Sequence, residues 1–140
     1  MQNKKKFKFP LGVTAALAVL CTWMAFVCYS IATEPEKGAG NLQKLQSDVT
    51  DAVRNHDADS LQRLFDEDTV GDSYASKYMK RLKEFPVENA RTTLTTHLGN
   101  AYVILHVDDK RAAFCTSWLI AEKDGRKFLD GSPSGWNACG

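Results

Sequence analysis

Three histidines, His56, His97 and His106, are the side chains best suited to acid–base chemistry or metal binding near neutral pH. They lie 41 and 9 residues apart, and this spacing matches no metal-ligand motif. The chain also has no serine nucleophile elbow, no HExxH zinc motif, no CxxC pair and no glycine-rich phosphate loop. We therefore expect no metal and no cofactor, and no motif identifies a reaction.

Cysteine chemistry is the second candidate. Cys115 and Cys139 are the only cysteines beyond the apolar N-terminal segment, and an even number outside the cytoplasm predicts a disulfide bond between them. The chain-entropy treatment assigns about 3.5 kcal/mol to a closed loop of about 25 residues. That is a large share of a free energy of unfolding of about 5–15 kcal/mol. Two free thiols are the alternative, which a reducing envelope would favour.

Basic residues form the third candidate, a cluster made of Lys77, Lys80, Arg81 and Lys83. One interpretation is a solvated helix face. The other is contact with anionic lipid headgroups or with an acidic protein. The whole chain has 18 basic and 17 acidic residues and a net charge of +1. This balance argues against a nucleic-acid partner, which requires many neutralised phosphates.

The longest element is an uncharged run of 22 residues from Leu11 to Ala32. As a helix it is about 33 Å long, which matches an apolar bilayer thickness of about 30 Å. Four lysines precede it, whereas the other flank is acidic first, so the positive-inside rule predicts a cytoplasmic N-terminus. We expect a basic cytoplasmic tail at 1–9, a transmembrane helix at 10–32, a linker at 33–40 and an extracytoplasmic domain at 41–140.

A cleaved secretory signal is the alternative interpretation of this segment, because Ser30 and Ala32 suit the −3 and −1 positions of a cleavage site. The apolar run exceeds the usual signal core of about 7–15 residues, which favours retention as an anchor. Small residues share one face of the helix and predict a contact with a neighbouring membrane helix, in preference to palmitoylation or metal binding. This face consists of Ala18, Cys21, Thr22, Ala25 and Cys28.

Three helices are predicted in the first half of the outer domain. Apolar residues at helical spacing over 42–53 predict the first helix. Asp57 or Asp59 is expected to cap the second. The third is predicted to begin around Asp72 or Ser73 and to stop before Pro86. Its inward residues are Tyr74, Ala75, Tyr78, Met79, Leu82 and Phe85.

Beyond this point the apolar period changes to two, which predicts strands at 88–98, 101–107, 111–122 and 126–130. Gly99-Asn100 and Asp124-Gly125 are expected to supply the φ > 0 residues of two tight hairpins. Strands joined by hairpins form an antiparallel meander with one face free for helices. The predicted class is α+β, with a transmembrane helix followed by three helices packed on a bent four-stranded antiparallel sheet.

This arrangement and two phrases of the sequence resemble the NTF2-like superfamily, the cystatin-like α+β cone. The helix-turn-helix phrase at 51–68 matches at Ala52, Val53, Asn55, Asp57, Ser60, Leu61, Leu64 and Phe65. The closing phrase at 124–133 matches at Asp124, Gly125, Arg126, Phe128 and Leu129. The resemblance covers residues 41–131 and involves structural features. Membrane-anchored members from Gram-positive bacteria, with one N-terminal span and one domain, look like accessory or assembly subunits.

Enzymes of the superfamily that this chain resembles place an Asp, His or Tyr inside the cone, where desolvation shifts the pKa of that side chain. The resemblance implies cavity candidates at Tyr74, Tyr78 and His97, with Thr95 and His106 as further inward residues. No pair among them has a catalytic spacing, and ordinary core or solvated sheet positions also account for them. An open apolar cavity around a buried Tyr or His would favour ligand binding. A cone filled by Leu82, Phe85, Phe114 and Trp118 would favour a protein-binding role.

The sequence therefore predicts a non-catalytic, single-pass membrane protein. It would act as an accessory or assembly subunit of an envelope complex and bind a membrane-protein partner through its transmembrane helix and external domain. The alternative is a small-molecule-binding or isomerase-type domain that uses the cone. The sequence identifies neither the partner nor such a ligand.

Overall fold

A computed structural model describes residues 11–33, 35–108, 113–133, 135–136 and 138–139. The chain divides into two units, Met1–Pro35 and Glu36–Gly140, and we call the second unit the body. Helix α1 of the first unit spans Leu11–Thr33 and contains no charged residue. Its length and composition suffice to cross a membrane, as do those of a signal sequence. The predicted cytoplasmic tail at 1–9 lies outside the described residues.

The helices of the body are α2 (Leu42–Arg54), α3 (Ala58–Leu64) and α4 (Tyr74–Leu82). Asn41 begins α2, because its side-chain oxygen accepts a hydrogen bond from the Lys44 N–H at 2.8 Å. Asp57, one of the two predicted caps, begins α3 by accepting the Ser60 N–H at 2.9 Å. Between these helices His56 has a φ of 53°, the left-handed conformation that commonly ends a helix.

The strands are β1 (Ala90–His97), β2 (Asn100–Asp108), β3 (Ala113–Lys123) and β4 (Arg126–Asp130). They form an antiparallel sheet in the order β1-β2-β3-β4, so the predicted α+β class and the four-stranded meander are confirmed. A 3₁₀ turn at Val87–Asn89 delays the start of β1 by two residues from the predicted position. Most of the predicted turn between β2 and β3 lies outside the described residues.

The hairpin between β1 and β2 turns one residue earlier than predicted. Leu98 and Gly99 have positive φ values of 49° and 82°, and Asn100 already pairs with His97. The prediction of Gly99-Asn100 as the turn is therefore wrong. In the observed register Val107 lies opposite Ala90, so that a large residue of β2 faces a small residue of β1. This matching suits a strand that packs closely under α2, and it leaves Leu98 in the turn, 87% exposed.

Side-chain alternation and strand register divide the sheet into two faces. The helix face carries Ala90, Thr92, Leu94, Val103, Leu105, Val107, Phe114, Thr116, Trp118, Ile120 and Leu129. Most of these residues form one hydrophobic core with the buried residues of α2, α3 and α4. The outer face carries Thr93, Thr95, His97, Tyr102, Ile104, His106, Cys115 and Leu119.

The body begins earlier in the chain than the sequence predicts. Ala39 pairs with Lys127 of β4 through two backbone hydrogen bonds of 2.9 and 2.8 Å. The Gly38 N–H donates to the Arg63 carbonyl at 2.8 Å. Residues 36–40, which the sequence assigns to the linker at 33–40, therefore belong to the body.

Candidate functional site

The small-residue face of α1 is the first candidate surface, and all its members are exposed: Ala18, Cys21, Thr22, Ala25 and Cys28. The Thr22 hydroxyl donates to the Ala18 carbonyl at 2.8 Å. The Ser30 and Thr33 hydroxyls also donate to carbonyls four residues earlier, at 3.0 and 2.9 Å. These three hydroxyls are satisfied within the helix, which suits an environment that offers no water. The two cysteines are free thiols.

The basic cluster of Lys77, Lys80, Arg81 and Lys83 lies exposed along α4 and its C-terminal end. Burial of Tyr78, Met79 and Leu82 on the opposite side of this helix directs the four charges to solvent. Within the described ranges no carboxylate forms an ion pair with any of them, whereas six other basic side chains of the body are paired. The cluster is thus a surface of positive charge without close ion pairs among the described residues.

An aromatic cluster occupies the space between α4 and β3, where the resemblance placed a cavity. The ring of Tyr78 lies 5.2 Å from that of Trp118 and 6.0 Å from that of Phe114, centroid to centroid. Phe85 lies 5.2 Å from Phe114. Leu82 and Trp118 are buried, and Phe85 and Phe114 pack against the core. The four side chains that the sequence predicts as a filling of the cone therefore lie in this region.

The Tyr78 hydroxyl is the unusual polar group of this cluster. It is buried, and it has no hydrogen-bond partner among the described residues. Thr116 on the helix face of β3 approaches it, but the two hydroxyls do not meet hydrogen-bond geometry. Burial raises the pKa of Tyr78 well above its ordinary value of 10.0, so the phenol stays neutral. An unpartnered buried hydroxyl costs about 1–3 kcal/mol, which makes Tyr78 a candidate contact for a small polar molecule.

His97 does not join the tyrosines, and its predicted place in the cone is corrected. Residues alternate along β1, so that His97 and Thr95 lie on the outer face, as does His106 of β2. The imidazole of His97 stacks on the indole of Trp136, with centroids 4.3 Å apart and planes at 3°. Tyr74 instead stacks beside Tyr78 at 6.2 Å. The structure brings the two tyrosines together and separates them from all three sheet candidates.

The disulfide bond between Cys115 and Cys139 is present, as the sequence predicts, with Cα atoms 5.8 Å apart. It fixes the C-terminal segment to the outer face of β3. Trp136 of the same segment contacts Tyr102 edge-on at 4.9 Å, and Tyr102 is buried. Sequence reasoning missed Trp136. Trp136 lies three residues before Cys139 in an otherwise polar segment, and this could have indicated that the segment packs on the sheet.

A charged cleft of about 390 Å³ lies where residues 36–38 meet β4, lined in part by Lys37, Glu67 and Lys123. Arg126 donates to the Lys37 and Gly38 carbonyls at 2.6 and 3.0 Å and pairs with the Glu36 carboxylate at 2.9 Å. Lys37 pairs with Glu67. These hydrogen bonds and ion pairs pair the charged groups with one another and hold residues 36–38 against β4.

On the other side of this cleft the Lys123 ammonium donates to the Asp68 carboxylate at 2.7 Å. This hydrogen bond lowers the pKa of Asp68 and raises that of Lys123. A second cleft of about 340 Å³ lies between α2 and β1 and is lined by polar residues, among them Gln46, Thr50 and Thr92. Across the described residues, no group of three or more His, Cys, Asp or Glu side chains is placed to hold a metal ion.

Comparison with known proteins places no relative beside this chain. No family model matches it, and no curated protein or solved structure matches it either.

Proposed function

We propose that this chain is a single-pass membrane protein with a cytoplasmic N-terminus and an NTF2-like, non-catalytic body outside the membrane. It serves as an accessory or assembly subunit and binds a membrane-protein partner through α1 and the body. Small envelope proteins anchored by one N-terminal span are the class that this layout resembles. The resemblance is supported by Asp57, which caps α3, and by Asp124 and Gly125, which have the positive φ values of a tight hairpin.

The observation that carries the proposal is the surface of α1. The helix has 23 residues, which corresponds to about 34 Å at 1.5 Å per residue. Its small face lets a second helix approach closely, and such packing drives helix association where lipid replaces water. The filled aromatic cluster supports a binding role for the body over a catalytic one. The unpaired basic cluster on α4 offers a second contact, to anionic headgroups or an acidic partner.

The test compares two equal substitutions on opposite sides of α1. Ala25→Leu places a bulky side chain in the small face. Ala16→Leu, nine residues away and therefore half a turn around the helix, makes the same change on the far side. After affinity purification in mild detergent, we expect partner proteins with the wild type and with Ala16→Leu, and their loss with Ala25→Leu. Equal recovery with both variants would refute the role of this face.

A small-molecule-binding domain is the second candidate, and the unpartnered Tyr78 hydroxyl favours it. Tyr78→Phe separates the two functions. If no molecule is bound beside Tyr78, removing the hydroxyl raises the free energy of unfolding by about 1–3 kcal/mol, because an unpartnered buried polar atom is removed. With a bound molecule, the same change lowers stability and removes the molecule from the native mass spectrum. We expect the first result. The second would make the cone a ligand site.

A further inference from the structure

The two edges of the sheet are treated differently by the rest of the body. Backbone groups from two other segments form hydrogen bonds with the first and second halves of the β4 edge. Ala39 pairs with Lys127, and the Asp66 N–H donates to the Leu129 carbonyl at 2.9 Å. Such covering is the usual protection of an edge strand against pairing with other chains.

Among the described residues, side chains of α2 cover the first three residues of the β1 edge and no others. The Arg54 Nε donates to the Ala90 carbonyl at 2.8 Å, and the Gln46 Nε2 donates to the Thr92 carbonyl at 2.7 Å. These bonds show that even-numbered residues of β1 direct their backbone groups away from β2. Because direction alternates along the strand, the N–H and C=O groups of Leu94 and Thr96 also point outward. In the described part of the chain no hydrogen bond reaches them.

The uncovered part of β1, at Leu94–Thr96, lacks the residues that usually prevent edge strands from pairing. Residues 92–107 contain no charged residue and no proline, although a quarter of the whole chain is charged. Lysine, proline and bulges are the devices that keep natural edges from pairing. Here four threonines, which favour extended backbone, occupy positions 92, 93, 95 and 96. The edge is suited to receive another strand.

We infer that the β1 edge pairs with the same edge of a second copy of this chain, antiparallel about a two-fold axis at Thr95. In this register Leu94 of each copy lies opposite Thr96 of the other, and four backbone hydrogen bonds form. The register uses every open group of 94 and 96 and leaves out Thr92, whose carbonyl Gln46 already holds. It is self-complementary, as an isologous two-fold interface requires.

Two further observations favour a second copy as the occupant. The absence of charge removes the like-charge repulsion that two identical strands would otherwise suffer. The same register places Leu98 opposite Thr92 of the second copy, beside its α2. Leu98 is the one large apolar residue that the described body exposes, and this position gives it a neighbour.

Cysteine cross-linking of the full chain in lipid vesicles tests this pairing. In a Cys21→Ala, Cys28→Ala background, Thr95→Cys brings two cysteines directly opposite each other, with Cα atoms about 4.5 Å apart. That distance permits a disulfide bond. Thr93→Cys is the matched control, because its equivalents lie about 14 Å apart along the strands. Mild oxidation is expected to yield a covalent dimer with Thr95→Cys and none with Thr93→Cys.

Leu94→Pro added to Thr95→Cys removes an outward N–H without touching the bonds between β1 and β2, so the dimer is expected to disappear. Thr96→Lys adds a charge to the edge and is also expected to abolish the dimer. It tests the pairing independently in case the proline variant does not fold. An intact Cys115–Cys139 bond and an unchanged circular dichroism spectrum report folding. Absence of the Thr95→Cys dimer, equal cross-linking of both cysteine variants, or a dimer that survives Leu94→Pro and Thr96→Lys would overturn the inference.

Discussion

Asp57 shows how one carboxylate sets the boundary between α2 and α3. It accepts the Ser60 N–H at 2.9 Å and the Ser60 hydroxyl at 2.6 Å, and these bonds lower its pKa from the ordinary 3.8. Asp57→Ala is expected to reduce the free energy of unfolding by about 1 kcal/mol at neutral pH. The matched control is Asp59→Ala, two positions later, whose side chain makes no capping bond. Urea denaturation of both variants measures the difference.

The same carboxylate predicts a dependence on pH. Its pKa is lower in the folded chain than in the unfolded chain, so its stabilising effect is complete above the unfolded value near 3.8. The effect is lost as the pH falls through the folded pKa. The gap between the wild type and Asp57→Ala should therefore close in acid. A gap that persists there, or an equal loss in Asp59→Ala, would contradict the capping role.

Single residues were predictable where the cause is local. Types and spacing limit the cap of α3 to Asp57 or Asp59, of which the structure has Asp57, and they favour the observed pairing of Cys115 with Cys139 over two free thiols. His97 could not be placed in this way, because its neighbour Trp136 lies 39 residues later and meets it only across the folded sheet. Odd-numbered residues of β1 lie on the outer face of the sheet. The resemblance to a superfamily does not predict which set of residues faces the helices.

At the scale of elements, Gly38 is the position where the start of the body depends on a missing side chain. Its φ is 65°, and a Cβ there would lie 2.6 Å from the Phe128 ring. Gly38→Ala should lower the free energy of unfolding by about 1–3 kcal/mol through backbone strain and overpacking. Gly40→Ala is the matched control, since a Cβ at that position meets nothing within 4 Å. Thermal unfolding measures both, and equal midpoints would show that residues 36–38 are not fastened to β4.

The sequence predicts the helices and strands to within two or three residues, because hydrophobic period and capping residues act locally. The β1–β2 turn was misplaced by one residue, since Asn100 suits a left-handed position as well as Gly99 does. Packing under α2 chose between the two registers, and α2 lies more than 35 residues earlier in the chain. Tertiary contact thus settles what turn chemistry leaves open.

For the molecule as a whole, composition predicts an apolar helix followed by an α+β body, and the structure has both. The boundary between them was harder to place, because the segment TEPEKGAG has no apolar period. Its residues 36–38 are held by Arg126, about 90 residues away in sequence. Contacts of this range cannot be read from local composition.

The proposed function requires that α1 is a retained membrane anchor and that the body lies outside the cytoplasm. Ser76, which is exposed on α4, can be changed to cysteine, as can Asn3 in the basic tail, in the Cys21→Ala, Cys28→Ala background. A membrane-impermeant thiol reagent applied to intact cells is expected to label membrane-bound Ser76→Cys and to leave Asn3→Cys unlabelled until the cells are opened. Labelling of Asn3→Cys alone, or recovery of Ser76→Cys as a free protein lacking its N-terminal segment, would contradict the account.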